Sequence, residues 1–276
     1  MQSVISKIVA MLFLAALAVT ATASCPKEYK FSDEVSESYT LSPQGRIELQ
    51  NINGDVHISA WDADSVQVRA VKRAYAQADL EKARIQIDAK ADFIRIQTVY
   101  SKTHAWNCEH NDQANVEYTI LVPRTARLSR VELVNGNLSI ADVSGGVKAS
   151  SVNGIVSVSG LGGRADLSTV NGKLEAVFDH IGGSNIQLMS MNGPLMVTLP
   201  SDVDAELQAS TVKGELDNDF RIPVERHDFP GHELRAELGS GRAKILLKNV
   251  NGSVSIRRAS DGKPLSPVRV TPGEGF

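Results

Sequence analysis

The sequence predicts an all-β fold: a β-solenoid, or β-helix-like stack of coils cornered by Asn-Gly, with an irregular N-terminal β-rich capping layer and at most one short helix. Three observations predict it. One phrase recurs as Val134-Asn135-Gly136, Val152-Asn153-Gly154, Val170-Asn171-Gly172 and Met191-Asn192-Gly193, its glycines 18, 18 and 21 residues apart. Glycine pairs fall between them, at Gly145-Gly146, Gly162-Gly163 and Gly182-Gly183. Each phrase is followed by alternate apolar residues: Leu138 and Ile140, Val156 and Val158, Leu174 and Ala176, Leu195 and Val197. A fixed period marks stacked units. Asn-Gly tolerates the positive φ of a tight corner, and period-two alternation reads as half-buried strands.

An antiparallel meander of hairpins is the rival arrangement, with Thr169 facing Leu174 across Asn171-Gly172. Only a stack explains why one residue type returns every 18 positions. In a stack, Val134, Val152, Val170 and Met191 lie above one another, and the corner asparagines form a ladder whose amides bond from coil to coil.

Taken in order, residues 1–23 read as a secretory signal peptide: Lys7, an apolar run over 8–19, then Ala21-Thr22-Ala23 as the cleavage site. The run is too short to span a membrane as a helix. Cleavage leaves a soluble exported protein of the periplasm or cell surface; lipidation of Cys25 is the alternative. The chain's two cysteines, Cys25 and Cys108, are most simply a disulfide in an exported protein. Closing so long a ring is worth on the order of 4 kcal/mol. A lipid on Cys25 excludes that bond and leaves Cys108 free.

Residues 24–125 read as the capping part. Asn53-Gly54 is an early copy of the corner phrase, and strands are expected over 65–70, 84–88, 92–99 and 116–122. Asp79-Leu80-Glu81-Lys82 lies in the one helical stretch, and 101–115 is a polar loop. The repeat proper is expected over 126–257, continuous with the capping part, and ends on Asn251-Gly252. A degenerate copy stands at Lys213-Gly214, and 220–231 with its prolines reads as a longer loop. Residues 258–276, rich in proline and glycine without an apolar period, read as a mobile tail.

At these residues the chain resembles a bacterial envelope family of adhesin-like proteins with β-strand repeats. The resemblance rests on the stretch from Asn53 to Trp61, the start at Asp79-Leu80, the strand end Leu121-Val122-Pro123 and the serial Asn-Gly copies. It spans about residues 45 to 257 and implies an exported β-helix-like protein, with no catalytic residues to carry over.

Composition narrows the function classes. The 276 residues are 42% hydrophobic with a net charge of -3, which suits a globular exported chain and gives no basic face for nucleic acid. His104, Cys108 and His110 crowd one short stretch with Glu109 and could hold zinc or copper, or form a Cys–His nucleophile pair. A disulfide-anchored loop with solvated histidines accounts for them more simply, so no metal or cofactor is expected. Asp62 and Asp64 could ligate calcium at a turn. Asp142, Asp166, Glu175 and Asp179 lie on outer strand faces, where a polysaccharide-cleaving enzyme would place acids, but no basic residue recurs beside them at a fixed offset.

The expected role is therefore non-enzymatic: an adhesin-like or scaffolding envelope protein presenting a flat Ser, Thr and Asn face to an unidentified protein or polysaccharide. A carbohydrate-binding or polysaccharide-cleaving β-helix and a metal-binding envelope sensor are the alternatives. Terminal strands could also pair with a second copy.

Overall fold

A computed structural model describes residues 29–101, 114–226 and 231–270. Cys25, His104, Cys108 and His110, and with them the signal peptide, disulfide and metal readings, lie outside the described residues.

The first half runs β1 (Phe31–Thr40), β2 (Arg46–Asn53), β3 (Val56–Trp61), β4 (Ser65–Ala74), helix α1 (Gln77–Lys82), β5 (Ala83–Lys90), β6 (Phe93–Tyr100) and β7 (Asn115–Pro123). The repeat follows as β8 (Arg127–Asn135), β9 (Leu138–Ala141), β10 (Val147–Asn153), β11 (Val156–Leu161), β12 (Ala165–Asn171), β13 (Leu174–Phe178), β14 (Ile186–Asn192) and β15 (Leu195–Leu199). The last part is β16 (Ala205–Lys213), β17 (Leu216–Asn218), β18 (Glu225–Arg226), β19 (His232–Leu238), β20 (Ala243–Asn251), β21 (Val254–Arg258) and β22 (Val268–Val270).

Two sheets share these strands. The first has the order β1-β4-β7-β3-β9-β11-β13-β15-β21-β17; the second has β18-β19-β16-β20-β14-β12-β10-β8-β2-β6-β5, with β22 on β19. Each coil sends one strand along the second sheet, turns at Asn-Gly, and returns along the first. Successive coils pair in parallel and in register, Leu138 with Val156 and Val156 with Leu174. The solenoid is thus the observed arrangement, and the hairpin meander is not.

Inward positions fill the space between the sheets. Leu138, Val156, Leu174, Leu195 and Val254 form one buried column, faced by Val131, Ala149, Leu167, Leu188 and Leu247 from the other sheet. Burying a Val or Leu side chain is worth about 1.5–3 kcal/mol. Period-two alternation therefore fixes the register, since a one-residue slip would turn the whole column outward.

Three expectations need correction. The coils begin at Arg46 rather than 126: β2 and β3 flank Asn53-Gly54 and pair in parallel with β8 and β9, and β6 and β7 form another such pair on their outer side. The cap is therefore only β1, β4, β5 and α1, where pairing turns antiparallel. The spatial order of the last coils also departs from chain order. β20 lies between β14 and β16, so the clean copy at Asn251 sits inside the degenerate one at Lys213.

Thirdly, residues 259–270 are docked, not mobile. Ala259 N–H donates to Leu199 C=O at 2.8 Å, Ser266 N–H to Ser201 C=O at 3.0 Å, and β22 pairs antiparallel with β19. Proline and glycine in this segment shape turns that let the chain double back. The stretch after β17 likewise closes the stack, because Phe220 and Ile222 are buried there.

Candidate binding edge at the Asn-Gly corners

Every corner glycine has positive φ, from +120° at Gly54 to +152° at Gly252. Stacking adds a second demand: a Cβ on Gly154 would lie 2.0 Å from the carbonyl oxygen of Gly136, and one on Gly172 as close to that of Gly154. Only glycine satisfies both the backbone angle and the approach of the neighbouring coil.

The asparagines before these glycines form the expected ladder. Asn135 Nδ2 donates to Asn53 Oδ1 at 2.8 Å, Asn153 to Asn135 at 2.8 Å, Asn171 to Asn153 at 2.9 Å, Asn192 to Asn171 at 3.0 Å, and Asn251 to Asn192 at 2.9 Å. The ladder ends where the next coil supplies Lys213. An amide has two N–H donors and two acceptor lone pairs. Each rung inside the ladder uses one of each, so the exposed corners present a donor and an acceptor per coil.

Beside the ladder runs a row the sequence did not flag as exposed. Ile52, Val134, Val152, Val170, Met191, Val250 and Val212 stand one residue before each corner, on the outer face of the second sheet. Val134, Val152, Val170, Met191 and Val250 are each more than a third exposed, and Ile155 beyond the corner adds to them. At about 4.8 Å per coil the row is roughly 29 Å long. A row of exposed apolar side chains on an otherwise polar face is a candidate contact surface. The face is therefore not the flat Ser, Thr and Asn surface expected, although Ser150 and Ser168 do flank the row.

Beneath the corners lies a column that sequence reasoning missed. Asn51, Ser151, Thr169, Ser190, Asn249 and Thr211 are buried two residues before each corner. Asn51 Nδ2 donates to the carbonyls of Gly54 and Val116 at 3.1 and 2.8 Å, Asn249 Nδ2 to that of Gly193 at 2.9 Å, and Thr211 Oγ1 to that of Gly252 at 2.9 Å. These bonds give side-chain donors to carbonyls buried beside the corners. The signal was legible: every copy but Leu133 carries Ser, Thr or Asn at an inward position.

Three of the acidic candidates are ion-paired. Asp62 is paired with Arg124 at 3.2 Å, Asp166 with Lys148 at 3.5 Å and Glu175 with Lys173 at 2.5 Å. The pairings have no common sequence offset, which is why reading along the chain did not reveal them. Among the described residues, no cluster of three His, Cys, Asp or Glu side chains could hold a metal ion, and no helix is long and apolar enough to cross a membrane. Behind the ladder's first rung, burial pushes the Tyr100 hydroxyl up to about 12, and it donates to Ala114 C=O at 2.8 Å.

Comparison with known proteins bears on the whole stack. The family model of Toastrack DUF4097 matches residues 19–257. No curated protein matches the chain. Among solved structures, a candidate cell adhesion protein of Clostridium sporogenes is similar at 12% identity, with a TM-score of 0.48 over 82% of this chain and 100% of that one. A candidate adhesin of Bacteroides fragilis has 9% identity and a TM-score of 0.34 over 82% and 97%. A candidate lipid-binding protein of Parabacteroides distasonis has 9% identity and a TM-score of 0.30 over 83% and 97%.

Proposed function

The chain belongs to the Toastrack DUF4097 family, and from that footing we propose that it is a non-catalytic, adhesin-like recognition protein of the cell envelope whose Asn-Gly edge holds an extended, uncharged polysaccharide. One observation carries this reading: the exposed Val and Met row beside an amide ladder, both repeating once per coil. Apolar side chains suit the C–H faces of sugar rings, and each rung offers a donor and an acceptor to hydroxyls. The repeat selects against a peptide laid along the axis. An extended polypeptide presents one face about every 6.7 Å, out of step with coils about 4.8 Å apart, whereas a β-linked hexose chain advances about one ring per coil.

The test is co-sedimentation with insoluble neutral β-linked glycans, cellulose and chitin, using wild type and the Val152→Lys/Val170→Lys pair. Both side chains point to solvent, so the variant is expected to keep its circular dichroism and melting temperature while losing the glycan. Equal sedimentation of variant and wild type would exclude this edge as the contact surface.

A further inference from the structure

The opposite edge of the same sheet, where the coils turn at glycine pairs, carries different chemistry. Most arginines among the described residues are tied to carboxylates, as Arg69 is to Glu34, Arg95 to Glu48, Arg130 to Glu132 and Arg257 to Asp217. Arg46, Arg127 and Arg164 have no carboxylate within ion-pair distance among the described residues. Of the arginines without such a partner, these three are the ones the stack brings together, with the Arg46 guanidinium also lying 5.5 Å over the Phe93 ring. Arg46 pairs in register with Arg127, the residue before Leu128; Gly146 and Arg164 hold the equivalent places before Val147 and Ala165 on the next two coils.

The row therefore reads Arg46, Arg127, Gly146, Arg164. Arg127, Gly146 and Arg164 line a groove of about 490 Å³. It adjoins a smaller hollow of about 260 Å³ where Arg46 and Lys148 join them and Asp166 is the single carboxylate. Gly146 is not demanded by packing, because a Cβ there would meet nothing nearer than 3.8 Å. Gly145 beside it differs: a Cβ there would strike the Ala126 carbonyl at 2.0 Å. Glycine at 146 leaves the floor open between two arginine positions about 10 Å apart along the stack.

We propose that this groove is a binding site for an acidic polysaccharide, taking oxyanion groups between Arg127 and Arg164 and at Arg46. Guanidinium forks bind carboxylates and phosphates through paired charge-assisted hydrogen bonds. Uncompensated cations at steps of one and two coils fit a polymer that repeats its charge every sugar or two. The large exposed apolar residues lie elsewhere, at the Asn-Gly edge, near Tyr29 and in β22, so the groove offers no seat for the acyl chains of a lipid. Single contacts of exposed arginines are weak, and the affinity comes from engaging several at once along one chain.

The experiment is titration of the full exported chain with polygalacturonate, with its methyl ester, and with phosphatidylglycerol vesicles. Polygalacturonate is expected to bind and to weaken with added salt, and the uncharged ester to lose the arginine-dependent binding. Arg127→Ala and Arg164→Ala should each lower affinity about tenfold, the loss of one charge-assisted contact. Arg221→Ala removes an exposed arginine elsewhere and should leave the titration unchanged. Gly146→Glu keeps every arginine, fits the open floor and places a carboxylate in the groove; it should abolish binding. Equal affinity of wild type, Arg127→Ala, Arg164→Ala and Gly146→Glu would overturn the site, as would binding to vesicles without binding to polygalacturonate. Failure of the neutral-glycan sedimentation would leave these titrations untouched, since they depend on different side chains.

Discussion

At a single corner, two constraints of different origin fall on one residue. Positive φ costs an L side chain of order 1–3 kcal/mol, and at Gly154 a Cβ would also strike the Gly136 carbonyl oxygen at 2.0 Å. Gly154→Ala is expected to lower the free energy of unfolding by at least about 3 kcal/mol, read as a shift in the denaturation midpoint, whereas Gly146→Ala should change it little. The amide beside it matters less. Asn171→Ala removes two exposed hydrogen bonds, to Asn153 and from Asn192, and should cost about 1 kcal/mol. Corner glycine and ladder asparagine were both legible in the sequence, because each is repeated at the coil period. Exposure of Val134, Val152 and Val170 was not. A valine before a corner looks the same on paper whether it faces the core or water, until the parity of its strand is fixed by Leu133 and Leu167. The arginine row left little trace either: Arg46 and Arg127 stand 81 positions apart across an insertion, and Arg164 follows Arg127 by 37, two coils on, with glycine at the coil between.

Among the elements, the C-terminal segment departs furthest from its composition. It is latched by Asp261, whose carboxylate accepts the N–H and O–H of Ser201, itself fully buried, while Arg258 Nε donates to the Ser201 hydroxyl at 2.7 Å. The Ser201 hydroxyl and amide hold Asp261 at about 2, below its ordinary 3.8. A carboxyl depressed in the folded state stabilises the docked form above its unfolded value and loses that contribution as it protonates. The latch should therefore hold at neutral pH and weaken as pH falls from about 4 towards 2. Amide exchange at Val268–Val270 would show it, and Asp261→Asn should bring the faster exchange to pH 7. Composition misled here because proline and glycine report turns as well as disorder, and the partner, Ser201, lies 60 residues upstream. Helix α1 and β4 to β7 were legible within a few residues, each having its own local period.

On the scale of the whole molecule, stability should behave as a sum of coils and their interfaces. Residues 147–164 form one coil of 18, bounded so that Val147 and Ala165 occupy equivalent positions. Deleting them joins Gly146 to Ala165, brings β8 against β12 and β9 against β13, and lets Asn171 bond to Asn135. The shortened chain is expected to remain folded and cooperative, with a melting temperature lowered by several degrees; a molten or aggregated product would contradict the additive picture. Edge-to-edge pairing should be resisted at β1, where Asp33, Glu34 and Glu37 line the outermost strand, so sedimentation is expected to show a monomer.

The displaced order of the last coils has a consequence for how the protein is made. A chain is synthesised from its N-terminus, yet β16 and β17 meet the stack only through β20 and β21, which are made after them. Until residue 258 has emerged, β14 and β15 end the stack as open parallel edges, and β16 waits with β19 as a detached hairpin. Losing the final strand pair would strand material already produced upstream of it. Completion of the chain is thus the event that seals it, and a clipped or stalled product displays unpaired strands that chaperones and proteases can grip.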